Sequence, residues 1–312
     1  MKIIFMGTPE FAVPSLEMLI NEGYEVIAVV TQPDKPKGRG NKLAAPPVKA
    51  FALKHGITVL QPSKIKIPEF VEQIRNLAPD LLITAAYGKI ISKEMLDVPT
   101  LGCINVHGSL LPAYRGAAPI QWSIINGEKV TGITTMFTDV GLDTGDMLLK
   151  KELEIGSDMT AGELHDAMAV LGAQVLKETL SELKRGTLIR KQQEDSLSSY
   201  APIITKEVGL IDWNKTAQQV HDLVRGTSPW PGAYTFLNES KMRVWKTCLL
   251  DLENNQNHCT GEIVRVDESG LLIKCSDGYI IISELQFDSS KRMKVSDYLR
   301  GHKISIGEKL GN

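Results

Sequence analysis

Short apolar runs alternate with segments of helical periodicity over the first half of the chain. Nearly continuous apolar runs predict strands that are buried on both faces, and apolar residues roughly three to four positions apart predict helices. The predicted strands span residues 2–6, 25–30, 57–60, 80–86, 102–106 and 133–137, and the predicted helices residues 9–21, 47–55, 68–77 and 118–125. This alternation predicts an α/β fold with a doubly wound, mostly parallel sheet of the Rossmann-like type.

The pattern changes after a long amphipathic helix that is predicted over residues 160–184. Residues 190–206 are polar and predict a linker. Beyond a short helix at 216–224, five strand-like runs follow at residues 234–237, 242–250, 261–266, 271–275 and 279–285. Five short strands in about a hundred residues predict a small OB-like β-barrel. The chain is therefore expected to divide into a domain of residues 1–189, the linker 190–206 and a domain of residues 207–312.

Composition and charge limit the classes of function. The 312 residues carry a net charge of -2, so bulk charge gives no argument for nucleic-acid binding. None of the four cysteines lies in a C-x-x-C pair, which argues against a zinc site, and we expect Cys103 and Cys275 to be free, buried thiols. The opening MKIIFMGTPEF does not have the pattern of a signal peptide, and no apolar stretch reaches membrane-spanning length. We therefore expect a cytoplasmic protein.

Polar side chains meet at the end of one predicted strand. Asn105 and His107 are two residues apart, so they share one face if the strand continues as far as His107. In an open α/β sheet, ligands bind beyond the carboxyl ends of the strands. The segment after the next predicted strand adds three carboxylates, Asp139, Asp143 and Asp146. If the two strands are neighbours, one of these carboxylates can reach His107.

An amide, an imidazole and a carboxylate without a G-x-S-x-G serine elbow favour direct group transfer. The amide of Asn105 is suited to donate a hydrogen bond to a developing oxyanion. His107, if a carboxylate holds it, is suited to donate as well or to move a proton. Single residues of these types in loops are more often structural, and their spacing alone does not name a reaction.

Several segments together resemble one enzyme family. NVHGSLLPAYRGAAPIQW, residues 105–122, is similar to the Asn-x-His-x-Ser-Leu-Leu-Pro signature of 10-formyltetrahydrofolate-dependent formyltransferases, and GLDTGDML, residues 141–148, is similar to their second motif. The segments IIFMGTPEFAVPSLEML, TQPDKPKGRGNKL and SPWPGAY resemble the methionyl-tRNA formyltransferases within that family. The resemblance covers essentially the whole chain in order, which is more specific than any single motif.

The resemblance implies roles for individual residues. Asn105, His107 and Asp143 match the catalytic residues of the family. The positions that match the folate pocket are Ser109, Leu110, Leu111 and Pro112 and, in a segment beside the pterin, Tyr87, Gly88 and Ile90. Arg39 matches the basic residue of a loop that approaches the aminoacyl end. Local positive charge, and not the resemblance, adds Lys37 and Lys42 in the same loop and Lys206 at the domain junction as positions expected to meet tRNA.

The resemblance also implies the reaction. A formyl group would move from 10-formyltetrahydrofolate, a co-substrate, to the amino group of methionyl initiator tRNA through a tetrahedral oxyanion, without a metal or a covalent enzyme intermediate. Residues 1–189 would be the formyltransferase domain and residues 207–312 an OB-like tRNA-binding domain. Separately from the resemblance, we expect a monomer. The second domain has 13 Lys plus Arg and 14 Asp plus Glu, so only local patches could favour RNA there. Its tryptophans, Trp230 among them, are expected in the core.

Three alternatives remain open at this stage. Another 10-formyltetrahydrofolate-dependent formyltransferase or hydrolase acting on a small molecule would share the same three catalytic residues. A nicotinamide oxidoreductase would share the sheet, but a single glycine, Gly7, follows the first predicted strand instead of G-x-G-x-x-G. An RNA-binding protein without catalysis would need the second domain alone, and replacement of Asn105 would then leave its function intact.

Overall fold

The computed structural model describes residues 1–37, 42–250, 252 and 257–311. The chain divides into two compact units. The first comprises Met1–Pro119, Val130–Glu154 and His165–Pro202, and the second comprises Ile120–Lys129, Ile155–Leu164 and Ile203–Asn312. The last change of unit, after Pro202, falls inside the predicted linker. The predicted limits of that linker, residues 190 and 206, stay a prediction.

Every strand and helix predicted from the sequence has a counterpart in the structure, and several short elements add to them. The strands are β1 (Lys2–Gly7), β2 (Glu25–Val30), β3 (Lys35–Lys37), β4 (Lys42–Ala44), β5 (Val59–Leu60), β6 (Leu81–Ala85), β7 (Cys103–His107), β8 (Arg115–Gly116), β9 (Val130–Phe137), β10 (Met147–Glu154), β11 (Tyr200–Ala201), β12 (Ala233–Leu237), β13 (Ser240–Leu250), β14 (Ile263–Asp267), β15 (Gly270–Lys274), β16 (Tyr279–Phe287) and β17 (Met293–Lys294). The helices are α1 (Val13–Asn21), α2 (Pro47–Lys54), α3 (Pro68–Asn76), α4 (Lys93–Leu96), α5 (Pro119–Ile125), α6 (Ala161–Arg185), α7 (Ala217–Gly226) and α8 (Val295–Leu299). Within the described ranges, no helix is both long enough and apolar enough to cross a membrane.

The first unit is built on a seven-stranded sheet in the order β10-β9-β7-β6-β1-β2-β5. The five strands from β7 to β5 run parallel, whereas β9 is antiparallel to β7 and β10 is antiparallel to β9. Four consecutive side chains of β1, Ile3 to Met6, are at most 1% exposed. Since neighbouring side chains in a strand point to opposite faces, β1 is buried on both faces, as its continuous apolar run predicts. The predicted fold class is confirmed.

Strand β10 at the edge of the sheet is the largest element that the sequence pattern did not predict. Its sequence, MLLKKELE, exposes Lys150, Glu152 and Glu154 at alternate positions. Charged side chains are typical of edge strands, where they discourage pairing with other chains. The same charges obscure the apolar alternation on which a strand prediction depends. The first half of the chain also contains the short hairpin β3–β4, in a segment that was expected to be a loop.

The second unit contains an antiparallel sheet in the order β12-β13-β16-β15-β14, with β17 paired to β16. The strands enclose one apolar core that includes Met242, Ile273 and Ile282, which are fully buried. Trp213 is 5% exposed within this core, and its Nε1 donates to Thr235 Oγ1 at 3.0 Å. The barrel-like second domain is thus confirmed. The expectation for Trp230 is wrong, because this side chain is 55% exposed.

Candidate active site

Thr84 fixes the orientation of the Asn105 amide. The two residues are partners in the register between β6 and β7. The Thr84 hydroxyl donates to Asn105 Oδ1 at 2.8 Å. With Oδ1 occupied, Asn105 Nδ2 faces the other way, and it has no hydrogen-bond partner among the described residues. Since Asn105 is only partly buried, the structure presents this N–H group as a donor to a ligand.

His107 is held at both ring nitrogens. Strand β7 continues to His107, so this side chain and Asn105 share one face of the sheet. His107 is 5% exposed, and its Nε2 lies 3.0 Å from the carbonyl oxygen of Tyr114. Because a carbonyl only accepts, Nε2 carries a hydrogen and donates it. On the other side, Nδ1 lies 3.6 Å from Asp143 Oδ2.

The three carboxylates between β9 and β10 have separate roles. Asp139 accepts hydrogen bonds from the backbone N–H of Gly141 at 3.0 Å and from the hydroxyl of Thr144 at 2.7 Å, so it caps its own loop. Asp146 pairs with Arg190 at 2.9 Å. Asp143 is the carboxylate that the structure brings to His107.

Asp143 is fixed by a second contact on the same oxygen. Its Oδ2 accepts a hydrogen bond from the backbone N–H of Gly116 at 2.9 Å. Both Asp143 (φ +53°) and Tyr114 (φ +60°), the residues that flank the His107 ring, have left-handed backbone conformations. In a residue other than glycine, this conformation costs about 1–2 kcal/mol. Such strain persists only where surrounding contacts enforce it, and it is concentrated at functional sites.

The folate loop predicted at residues 109–112 is held together from within. Ser109 is fully buried, and its hydroxyl donates to the carbonyl of Ala113 at 2.6 Å. The Thr134 hydroxyl donates to the carbonyl of Ser109 at 2.7 Å and accepts from the N–H of Leu111 at 3.1 Å. Lys150 Nζ donates to the carbonyl of Leu111, and partial desolvation of this ammonium lowers the pKa of Lys150 although much of its side chain is exposed. The Ser109 hydroxyl and carbonyl and both backbone polar groups of Leu111 are therefore engaged in holding the loop.

The other positions predicted to bind folate differ in exposure. Leu110 and Pro112 are partly exposed, and Gly88 and Ile90 are exposed. The side chain of Tyr87, in contrast, is 4% exposed inside an apolar cluster, and its hydroxyl has no partner there. Burial raises the pKa of Tyr87 to about 12. The Tyr87 side chain thus belongs to the core, whereas its neighbours keep surface that a ligand could contact.

The cations predicted to meet tRNA are only partly described. Lys37 and Lys42 pair through their backbones in the β3–β4 hairpin, and Arg39 lies outside the described residues. Lys206 is exposed and forms no ion pair within the described parts of the chain. Lys49, in the same basic segment, is already neutralised, because its ammonium donates to both carboxylate oxygens of Asp34 at 2.8 Å.

The predicted free thiols are confirmed. Cys103 and Cys275 are buried and unpaired, and burial raises the pKa of each thiol to about 12. Across the described ranges, no three His, Cys, Asp or Glu side chains are grouped so that they could hold a metal ion.

Two further residues of the site, Thr84 and Tyr114, were not predicted from the sequence. Thr84 is a single hydroxyl at the end of the apolar run LLITA, and a polar residue beside a strand end is a signal that could have been used. Tyr114 contributes a backbone carbonyl, for which side-chain chemistry gives no signal.

Two family models match the chain. The model described as formyl transferase matches residues 1–180, and the model described as formyl transferase, C-terminal domain, matches residues 203–303. A methionyl-tRNA formyltransferase from Ruminiclostridium cellulolyticum is 84% identical over 311 residues, which covers all of both chains. The chain belongs to the methionyl-tRNA formyltransferase family. The resemblance that the sequence motifs indicated is thereby confirmed.

Other members of the methionyl-tRNA formyltransferase family align over the full chain, with 63% identity in Acetivibrio thermocellus and 51% in Clostridioides difficile. Among solved structures, WlaRD, a sugar 3N-formyl transferase, has a TM-score of 0.69 at 21% identity and covers 93% of this chain and 99% of its own. HypX from Aquifex aeolicus in complex with tetrahydrofolic acid has a TM-score of 0.63 at 15% identity and covers 98% of this chain and 50% of its own. At these identities the two structures support the fold alone.

Proposed function

We propose that this chain transfers the formyl group of 10-formyltetrahydrofolate to the amino group of methionine on initiator tRNA. The full-length identity of 84% to a methionyl-tRNA formyltransferase supports the substrate pair. The observation that carries the chemistry is the free donor of Asn105, on the same sheet face as an imidazole that Asp143 and Tyr114 hold. A single open amide donor suits an oxygen that gains negative charge, because donors aimed at developing charge stabilise the transition state.

The proposed reaction forms one bond to the formyl carbon and breaks another. The methionine nitrogen forms a bond to the formyl carbon, and the bond from that carbon to N10 of the folate breaks. Asn105 Nδ2 donates to the formyl oxygen while that oxygen carries negative charge. Loss of one such donor costs about 10²–10³ in rate. The amine loses one proton and N10 gains one, so the exchange is balanced without an outside acid.

His107 and Asp143 stabilise charge in the same step. In the structure the Nε2–H of His107 is bonded to Tyr114, so donation to the formyl oxygen requires that this hydrogen bond is shared or exchanged. Asp143 stabilises positive charge that develops on the ring during the transfer, because a carboxylate lies beside the imidazole. Folate supplies the formyl group, and the protein supplies placement and electrostatics.

For tRNA, we propose contacts by Arg39, as the resemblance implies, and by Lys37, Lys42 and Lys206, as their local positive charge suggests. Lys206 supports this by being exposed and without an ion pair in the described chain. Phosphate contacts of this kind weaken as salt rises, because bound counterions are released on binding. Replacement of each cation by Ala should therefore weaken binding and reduce its salt dependence. We further propose that the enzyme is a cytoplasmic monomer. Light scattering at assay concentration measures the molar mass in solution and so tests the oligomeric state.

The test is formyl transfer by the purified protein from radiolabelled 10-formyltetrahydrofolate. Methionyl initiator tRNA should be labelled, whereas uncharged initiator tRNA and methionyl elongator tRNA should be labelled weakly or not at all. Small amines and water serve as competing acceptors. Release of labelled formate, or labelling of an amino sugar in preference to the tRNA, would refute the proposed acceptor and favour the small-molecule alternative.

A further inference from the structure

Residues 190–201, which we name the strap, were expected to be part of a linker. In the structure they lie across both loops that hold His107. Lys191 and Met147 exchange backbone hydrogen bonds of 2.8 and 2.9 Å at one end of the strap. At the other end, β11 pairs in parallel with β8, Tyr200 with Arg115 and Ala201 with Gly116. The strap therefore contacts the end of the loop that holds Tyr114 and the end of the loop that carries Asp143.

Both the nitrogen and the oxygen of the Gln193 side-chain amide form hydrogen bonds to the two loops. Nε2 donates to the carbonyl of Asp143 at 2.7 Å and to the carbonyl of Gly145 at 2.8 Å. Oε1 accepts from Arg115 Nε at 3.0 Å. The guanidinium of Arg115 is held by the strap a second time, since it donates to Asp195 at 2.8 Å. One amide thus connects the two carbonyls of the Asp143 turn to the loop on the other side of His107.

Ser199 supplies the matching contact on the Nε2 side of the ring. Its hydroxyl accepts from the backbone N–H of Tyr114 at 2.8 Å, and its carbonyl accepts from the N–H of Arg115 at 2.8 Å. The carbonyl of Tyr114 is the group that binds His107 Nε2. The two left-handed residues that flank the imidazole, Tyr114 and Asp143, are therefore each fixed by a strap side chain.

Internal contacts of the Asp143 loop do not replace this support. Asp139 caps residues 141 and 144, and both of these contacts leave the Asp143 carbonyl unbonded. Strained backbone is maintained where neighbouring contacts enforce it, and Gln193 is the side chain that bonds the Asp143 carbonyl. If this contact is lost, Asp143 is free to leave the left-handed conformation, and its carboxylate then moves away from His107.

We propose that Gln193 is a positioning residue for the His107–Asp143 pair, and that the strap sets the catalytic geometry from outside the motifs that carry the chemistry. This inference rests on the proposed function. It distinguishes Gln193 from its neighbour Gln192, which is exposed and makes no hydrogen bond within the described residues. The same residue type at adjacent positions thus provides a matched control.

The first experiment compares kcat and KM for Gln193→Leu and Gln192→Leu in the formyl-transfer assay. Gln193→Leu should lower kcat about tenfold to a hundredfold with little change in KM, because small misplacements of catalytic groups cost rate and leave the binding surfaces intact. Gln192→Leu should behave as the wild type. Gln193→Glu keeps the acceptor for Arg115 but cannot donate to the two carbonyls, so it should be as slow as Gln193→Leu.

The second experiment is a double-mutant cycle with Asp143→Asn. If Gln193 acts through Asp143, Gln193→Leu should lower kcat less than about twofold in the Asp143→Asn background, since coupled residues are not additive. Equal losses in both backgrounds would show a general structural role and overturn the proposal.

A third measurement does not depend on turnover. The N–H of Gly116 donates to the Asp143 carboxylate, so its hydrogen exchange reports whether that carboxylate stays in place. Exchange at Gly116 should become about tenfold faster or more in Gln193→Leu and stay unchanged in Gln192→Leu, at equal melting temperature. Unchanged exchange in Gln193→Leu would refute the inference. A wild-type protein that transfers no formyl group would refute the proposed function instead, and the exchange measurement would still decide the role of Gln193.

Discussion

Asp143→Asn tests whether the negative charge of Asp143 supports His107 during the reaction. The substitution preserves the volume of the side chain and leaves an oxygen that can still accept from the N–H of Gly116. The same oxygen lies 3.6 Å from His107 Nδ1, so the variant keeps an oxygen beside the ring. The variant therefore removes the negative charge of residue 143 and keeps the geometry.

The size of the effect follows from the distance between the groups. At 3.6 Å, and with an effective dielectric constant of about 20, a carboxylate and a positive charge that develops on the imidazole during the reaction attract by about 5 kcal/mol. The side chain of Asp143 is 17% exposed and that of His107 is 6% exposed, so solvent screens part of this attraction. A remaining contribution of about 2–4 kcal/mol corresponds to a decrease in kcat of about 30-fold to 1,000-fold.

The assay is single-turnover formyl transfer to methionyl initiator tRNA, with binding of the tRNA measured separately. Asp146→Asn is the matched control, because Asp146 lies in the same loop but pairs with the exposed Arg190. An exposed ion pair contributes about 0–1 kcal/mol, so the control should retain nearly full activity. If Asp143→Asn transfers formyl at the wild-type rate while remaining folded, electrostatic support of His107 is not part of the mechanism.

Three further predictions concern other contacts within the first unit. Asn105→Ala should lower kcat by about 10²–10³ with tRNA binding retained, and normal turnover in this variant would remove its role at the oxyanion. Gly116→Ala should destabilise the fold by about 1–3 kcal/mol, measured by thermal unfolding, because φ is +120° and a Cβ would lie 2.6 Å from the carbonyl of Ala201. The hydrogen bond from Lys49 lowers the pKa of Asp34, so this pair stabilises the protein above the ordinary Asp value of 3.8 and the effect is lost as pH falls. Asp34→Asn should therefore reduce the acid-induced drop in melting temperature, and identical drops in both proteins would contradict the assignment.

The sequence predicted those elements whose pattern is set locally. A fully buried strand such as β1 is apolar along its whole length, so its pattern identifies it without knowledge of its neighbours. Strand β10 depends on its position at the sheet edge, and its exposed charges conceal it. The two-residue strands β8 and β11 have no pattern at all, because each is defined only by the other. Prediction therefore succeeded for the sheet interior and failed where pairing is decided by distant parts of the chain.

The same distinction applies inside the site. Asn105 and His107 follow from a strand end and a period of two, which are local features. The choice of Asp143 among three carboxylates does not follow from spacing, and only the family resemblance selected it. The choice depends on a left-handed residue in a loop that Asp139 caps and Gln193 holds.

Because β9 is antiparallel to β7, the position of the Asp143 carboxylate depends even more on how its loop is held. Phe137 at the end of β9 pairs with Ile104, near the start of β7, so the loop that carries Asp143 departs from the opposite end of β7 to His107. A carboxylate in such a loop reaches the imidazole only if the loop folds back along the sheet. The bonds from Gln193 to the Asp143 turn hold the loop in that path. A polar segment that composition marks as a linker can therefore decide which carboxylate meets the imidazole, even though no residue in it carries the chemistry.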